Sequence, residues 1–209
     1  MARRVLTVQD LEGTAAGGEL VVPHGTIVTA LACDEAVRRN ITIKFEDAHG
    51  ASPTSAGSPR IVALGADHGG FDLKEQLKEY LRVWGYTALD LGTFNREAVD
   101  YPDFAEAVAN AVVRGDAWRG IVIDSAGIGS SIAANKVPGA RAALCYDRAT
   151  ARNSREHNDA NIISLGAKLI APEVAREIVA AWLDTPFAGG RHQKRVDKIT
   201  GIENRHRKT

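Results

Sequence analysis

The sequence predicts an α/β fold, a Rossmann-like open sheet of about five parallel strands with helices on both faces, preceded by a small α+β module. Three observations predict it. From Arg60 onward, short β-branched apolar runs alternate with longer amphipathic stretches, the pattern of a parallel sheet covered by helices. The run Gly120-Ile-Val-Ile123 is apolar throughout, as in a strand buried on both faces, and passes directly into Asp124 and a turn containing Gly127 and Gly129. A small, polar, Pro/Gly-rich stretch over residues 47–59 separates this pattern from a compact leading segment, residues 1–46, and reads as a linker.

In the leading segment, Thr7 is placed to cap a short helix through Leu11, and Glu19-Leu-Val-Val-Pro23 reads as a strand. Thr29 opens a helix over Ala30–Arg39 that Asn40 can close in a left-handed conformation, and Ile41–Phe45 alternates as a half-buried strand. So short a module buries too little apolar surface to be very stable alone, so it is expected to dock on something. In the second segment, residues 60–209, the strands are Ile61–Gly65, Thr87–Leu91, Gly120–Ile123, Arg141–Cys145 and Asn161–Leu165. Helices follow from the spacing of Leu73, Leu77, Tyr80, Leu81 and Trp84, and from Phe104, Val108, Ala111 and Val112 behind Tyr101-Pro102. Further helices are expected over Pro172–Leu183 and Arg191–Asn204, and Ser130 or Ser131 can cap one after the glycine turn.

Composition narrows the function. With 26 basic and 26 acidic residues the net charge is zero, which gives no basic face for nucleic acid or an acidic membrane surface. The two cysteines, Cys33 and Cys145, are too far apart in sequence to suggest a disulfide framework and lack metal-site spacing; no cofactor is expected. There is no membrane-length apolar run and no signal-peptide core, which predicts a cytoplasmic protein.

Open α/β sheets bind ligands beyond the carboxyl ends of their strands. That edge collects Gly65-Ala-Asp67-His68-Gly-Gly70 after the first strand, Asp124-Ser125-Ala126-Gly127-Ile128-Gly129 after the third, and Arg155-Glu-His157-Asn158-Asp159 before the fifth. His68 and His157 both lie in segments read as polar loops, where an imidazole can relay protons. Arg191 and Arg195, four apart on one helical face, suit a phosphate held by bidentate bonds, although a solvated basic face is the plainer reading.

Five motifs occur together and in order: Asp67-His-Gly-Gly-Phe-x-Leu-Lys74, Asp100-Tyr-Pro102, the Gly-Ile-Gly turn with Ile132-Ala-Ala-Asn-Lys136, Arg155-x-His-Asn-Asp159, and Gly190-Arg-His-Gln-x-Arg195. This set closely resembles the ribose-5-phosphate isomerase B and galactose-6-phosphate isomerase family over residues 60–205. The resemblance implies a metal-free aldose–ketose isomerase acting on a phosphosugar, ribose 5-phosphate foremost, as a homodimer or homotetramer with its site between subunits. It further implies that His157 opens the sugar ring, that Asp67, His68 and Asn158 bind ring and hydroxyl groups, and that the backbone of Ser125, Ala126, Gly127, Ile128 and Gly129 holds the enediolate oxygens. Arg191, Arg195 and Lys168 match phosphate ligands, the last replacing the usual arginine. Leu20-Val-Val-Pro23, the Thr-rich turn after it and Ala36-Val-Arg-Arg-Asn-Ile-Thr-Ile43 weakly resemble the modules of bacterial microcompartment-associated enzymes, which implies shell or cargo partners for residues 1–46; an extension used in oligomer contacts is the equal alternative.

The chain departs from that family at its centre. Most members carry Cys-Gly-Thr-Gly where this sequence has Asp124-Ser-Ala-Gly127, and some relatives place a glutamate where Ser130 stands. A carboxylate can remove a proton next to a carbonyl if partial burial raises its pKa toward neutrality, so Asp124 is expected to be the general base. On that expectation, Asp124→Asn keeps the fold and phosphate affinity while abolishing turnover. The competing reading is a catalytically silent phosphosugar-binding relative, or a non-catalytic subunit of a mixed oligomer. A dinucleotide-binding domain fits poorly, because Gly127-Ile-Gly129 lacks the third glycine of that fingerprint and follows the third strand.

Overall fold

The computed structural model describes residues 4–23, 26–45 and 60–207. The expected linker, residues 47–59, lies outside the described residues. The chain forms two compact units, one drawn from the first sixty residues together with Gln76–Ala88, the other from Ile61–Glu75 and Leu89 onward.

In the first unit, β1 (Val5–Leu6) pairs in parallel with β3 (Ile27–Val28), and β2 (Glu19–Val22) with β4 (Thr42–Phe45). Helix α1 (Ala30–Arg38) starts where Thr29 Oγ1 accepts from the Ala32 amide at 3.3 Å, as the sequence predicts, and Asn40 takes the left-handed conformation at φ 56°. Near Thr7 the capping runs the other way, because the Thr7 amide and hydroxyl both donate to Asp10, ahead of a 3₁₀ turn over Gln9–Leu11. Leu6, Leu11, Val22, Ala36, Ile41 and Ile43 are buried, which gives the unit an apolar centre of its own.

From Ile61 onward the chain forms a five-stranded parallel sheet in the order β6-β5-β7-β9-β8 with helices packed around it. Its strands are β5 (Ile61–Ala66), β6 (Thr87–Asp90), β7 (Arg119–Asp124), β8 (Ala142–Leu144) and β9 (Ile162–Gly166). The helices are α2 (Phe71–Val83), α3 (Tyr101–Arg114), α4 (Ile128–Ala134), α5 (Arg148–Asn158), α6 (Pro172–Asp184) and α7 (Gln193–His206). The central strands β7 and β9 are buried at every residue, which is why Ile121–Ile123 and Ile162–Ile163 show no polar alternation. Val108 and Val112 of α3 pack with Val122 and Ile162, and Gly120 admits them because a Cβ there would come within 2.5 Å of Val108. At the amino end of β7, the buried Arg119 guanidinium donates to the carbonyls of Trp182, Leu183 and Thr185 at 2.7–3.3 Å and lies 4.0 Å from the Trp118 ring. It thereby satisfies the carbonyls that α6 leaves open at its end.

Two sequence expectations need correction. His157 is not in a loop: it is the penultimate residue of α5, a helix opened by a capping box in which Asp147 accepts from the Thr150 amide at 2.7 Å. Arg191 and Arg195 do not share one helix either, because Gly190–His192 forms a 3₁₀ turn and α7 begins at Gln193.

Candidate active site

The turn between β7 and α4 is organised by a carboxylate. Asp124 is 5% exposed, and its Oδ1 accepts from the Ala126 amide at 2.7 Å and from the Gly127 amide. Its Oδ2 accepts from the Ser130 amide at 2.9 Å and the Ser130 hydroxyl at 2.6 Å. Neither Ser130 nor Ser131 caps α4 as expected. Asp124 reaches forward to the first-turn amides and does that work, while Ser130 becomes a donor to it. Gly127 is left-handed (φ 79°), and an added Cβ would lie 2.6 Å from Leu144 and 2.8 Å from the Leu165 backbone. The Gly127 carbonyl accepts from Ser164 Oγ at 2.5 Å and the Ala126 carbonyl from Tyr146 Oη at 2.9 Å.

This geometry corrects the reading of Asp124 as a base tuned toward neutrality. Burial pushes its carboxyl up, but the Ser130 hydroxyl and the amides of Ser130, Gly127 and Ala126 together outweigh burial and hold it below the ordinary carboxylate range. Two of the turn's amides expected to hold the enediolate, Ala126 and Gly127, are already bonded to this side chain.

Asp67 stands on the neighbouring strand end. Its amide donates to the Ile123 carbonyl at 3.2 Å, and its Oδ1 accepts from the amides of Gly69 at 2.9 Å and Gly70 at 3.0 Å. A Cβ at Gly69 would run into Ser125 Oγ, so Ser125 sits directly against this loop. His68 is exposed, with Nδ1 3.3 Å from both the amide and the carbonyl of Val99. The exposed Lys168 joins the same edge through its amide, which donates to the Ser125 carbonyl at 3.0 Å.

A second cluster forms around His157. Its ring stacks on His192 with centroids 4.1 Å apart and planes 7° from parallel, and its Nδ1 is 2.9 Å from Asn153 Nδ2. Arg191 Nε lies 3.4 Å from His192 Nε2, and Arg195 Nη1 3.5 Å from His192 Nδ1. A neutral imidazole has one acceptor nitrogen, so at most one of these contacts is a hydrogen bond. Burial, then the His157 ring, then the two guanidinium groups push the His192 pKa down. Asn158 is exposed at the end of α5. Among the described residues, no hydrogen bond or ring contact joins this cluster to the Asp67–Asp124 group.

Sequence reasoning read Ser130 only as a helix cap, not as a donor to Asp124, and passed over His192, Asn153 and Tyr146. An Asp before a glycine turn with a serine six residues on was a legible signal for the first. His192 lies between the two singled-out arginines and was passed over. Asn153 and Tyr146 had no local signature.

A buried parallel sheet with helices around it and a polar carboxyl edge defines a Rossmann-like α/β protein, a class whose ligands bind at that edge. Residues 62–199 match the family described as Ribose/Galactose Isomerase, and the chain belongs to it. It is 45% identical to ribose-5-phosphate isomerase B of Escherichia coli over 144 residues, 69% of this chain and 97% of that one. It is 42% identical to D-erythrulose-4-phosphate isomerase of Pectobacterium atrosepticum over 147 residues, 70% of this chain and 97% of that protein. Among solved structures, ribose-5-phosphate isomerase B of Clostridium thermocellum superposes with a TM-score of 0.70 at 50% identity, covering 70% of this chain and 99% of that one. The Mycoplasma genitalium ribose-5-phosphate isomerase B with bound ribulose-5-phosphate gives 0.68 at 37% identity, covering 71% of this chain and 99% of that one. The chain is a sugar-phosphate isomerase by family, and the leading segment lies outside the matched region.

Proposed function

We propose that the protein interconverts ribose 5-phosphate and ribulose 5-phosphate by proton transfer through a cis-enediolate. The observation that carries this reading is the 45–50% identity to ribose-5-phosphate isomerases B over almost their whole length. In this reading His157 opens the sugar ring, Asp67, His68 and Asn158 hold hydroxyl groups, and Arg191, Arg195 and Lys168 hold the phosphate. Ser125 lies beside the reacting carbons, and the first-turn amides of Ile128 and Gly129, which have no acceptor within the helix, serve the enediolate oxygen. The sugar is the finer question, since one relative is named for a four-carbon substrate. Incubation with tetrose, pentose and hexose phosphates, followed by NMR, tests it. Conversion of the pentose pair at the highest kcat/KM is expected, and preference for another length refutes the assignment.

The site is completed by a second copy of the chain. Two groups of site residues without a shared contact, and exposed Ile128, Ile132, Ile199 and Ile202, support a homodimer or tetramer. Sedimentation gives the state directly, and an active monomer refutes it. Residues 1–46 address the enzyme to an assembly such as a microcompartment in the cytoplasm; exposed Val21 and Leu31 support a docking role. Deleting them is expected to abolish co-localisation with shell proteins and leave isomerisation intact. Among the described residues no helix is long and apolar enough to cross a membrane.

One observation favours a second reading, a silent phosphosugar binder: the saturated acceptors of Asp124 leave no base at the position where most relatives carry their thiol. Phosphosugar binding without exchange of the C2 proton in deuterated water would establish it.

A further inference from the structure

Resting on the isomerase reading, we infer that Asp67, rather than Asp124, carries the proton between C2 and C1. Lone-pair occupancy separates the two carboxylates. A carboxylate has about four acceptor positions, two on each oxygen. Asp124 fills all of its own, with the Ala126 and Gly127 amides on Oδ1 and the Ser130 amide and hydroxyl on Oδ2. It can take a proton from carbon only by surrendering a charge-assisted bond that also shapes the turn. Asp67 fills its Oδ1 with the Gly69 and Gly70 amides and, among the described residues, accepts no hydrogen bond at Oδ2.

That free oxygen is open to solvent. Asp67 is 7% exposed, yet among the described residues the fully buried polar side-chain atom lacking a partner is Trp182 Nε1, so Asp67 Oδ2 reaches the surface. The strand register pairs Ala66 with Ile123, which sets Asp67 beside Asp124 at the carboxyl edge. Ser125 Oγ lies against the Asp67–Gly70 loop. A fixed carboxylate with one oxygen bonded and one open, next to the turn, has the form of a positioned base.

The step balances without any co-reactant. Asp67 Oδ2 takes the C2 proton; the C2–H electron pair forms the C1=C2 double bond and the carbonyl pair moves to O1. A proton passes from O2 to O1. The O2 pair then closes the C2 carbonyl, and the C1=C2 pair takes the proton back from Asp67 at C1. C2 is oxidised, C1 is reduced, and Asp67 returns ionised.

The two carboxylates respond differently to amide replacement. Asn at position 67 keeps an oxygen for Gly69 and Gly70 and puts its NH₂ where nothing donates. Asn at position 124 sets an NH₂ against donors. The experiment compares wild type, Asp67→Asn and Asp124→Asn for isomerisation of ribose 5-phosphate, deuterium incorporation at C2, thermal midpoint and binding of inorganic phosphate. Asp67→Asn is expected to lower kcat and exchange together by about 10²–10⁴-fold, with the thermal midpoint and phosphate binding kept. Asp124→Asn is expected to melt earlier and to retain measurable exchange. Exchange within tenfold of wild type in Asp67→Asn overturns the inference, as does its complete loss in an Asp124→Asn protein that melts like wild type. A wild-type protein that turns over no aldose phosphate overturns the isomerase reading itself, which separates the two failures.

Discussion

Ser130→Ala isolates one bond in the turn that Asp124 organises. The substitution removes the hydroxyl that donates to Asp124 Oδ2 at 2.6 Å and leaves the Ser130 amide bond in place. A hydrogen bond to a charged group contributes about 1.5–3 kcal/mol, and with the amides retained the loss falls at the low end, about 1.5–2 kcal/mol. In a chain of this size that lowers the thermal midpoint by about 3–8 °C. The loss depends on pH with a definite sign. The folded-state pKa of Asp124 lies below its unfolded value, so the ionised carboxylate stabilises the fold above the ordinary carboxylate range. That contribution disappears as the pH falls through the lowered folded value. Ser130→Ala weakens the depression, so the gap between variant and wild type is full near neutrality and narrows in acid. Thermal melts from about pH 7 down through about pH 2 measure it. A gap that is absent at neutrality, or constant into acid, would refute the assignment of Asp124 as the turn's bonded carboxylate.

Other perturbations have comparable readouts. Lys74, fully buried, binds Asp90 at 2.6 Å and Glu75 at 2.7 Å; Lys74→Met strips Asp90 of its ammonium partner and is expected to cost about 3–5 kcal/mol in urea denaturation. Gly166→Ala would put a Cβ 2.5 Å from the Ala126 carbonyl oxygen, so the turn must shift; a loss of about 1–3 kcal/mol and a lowered kcat are expected. His192 should titrate by NMR below the ordinary histidine value. Because it binds fewer protons folded than unfolded, stability should fall as the pH drops through that window, and His192→Gln should flatten the fall. Lys168→Arg restores a planar fork at a proposed phosphate ligand and should lower KM with little change in kcat.

The sheet was legible because β7 and β9 are buried throughout and their middles, Ile121–Ile123 and Ile162–Ile163, are apolar without alternation. Helix α5 was not, since its buried side is Ala151, Ser154 and Arg155, too polar for an apolar stripe; the Asp147–Thr150 box was its available signal. β1 and β3, two residues each, are set by pairing rather than by local pattern. Asp124 ends β7 as read from the sequence, but its carboxyl is held down where the expectation raised it. Whether a carboxylate after a strand is open or bonded depends on how the backbone curls over the next six residues, and composition does not encode that curl. At Asp67 the curl is shorter: Gly69 and Gly70 stand two and three residues on, and their amides bond to one oxygen.

Strand β7 is tethered at both ends. Arg119 fastens its start to three carbonyls at the end of α6, and Asp124 fastens its finish to the turn beyond. Such a strand cannot slip in register to suit a longer or shorter sugar. Adaptation to a new chain length therefore falls on segments free of both anchors, the stretch from Thr93 to Val99 above all, where Phe94 is exposed and Val99 contacts His68. A catalytic edge held still by its own strand can be inherited unchanged while the neighbouring loop is rewritten for another substrate.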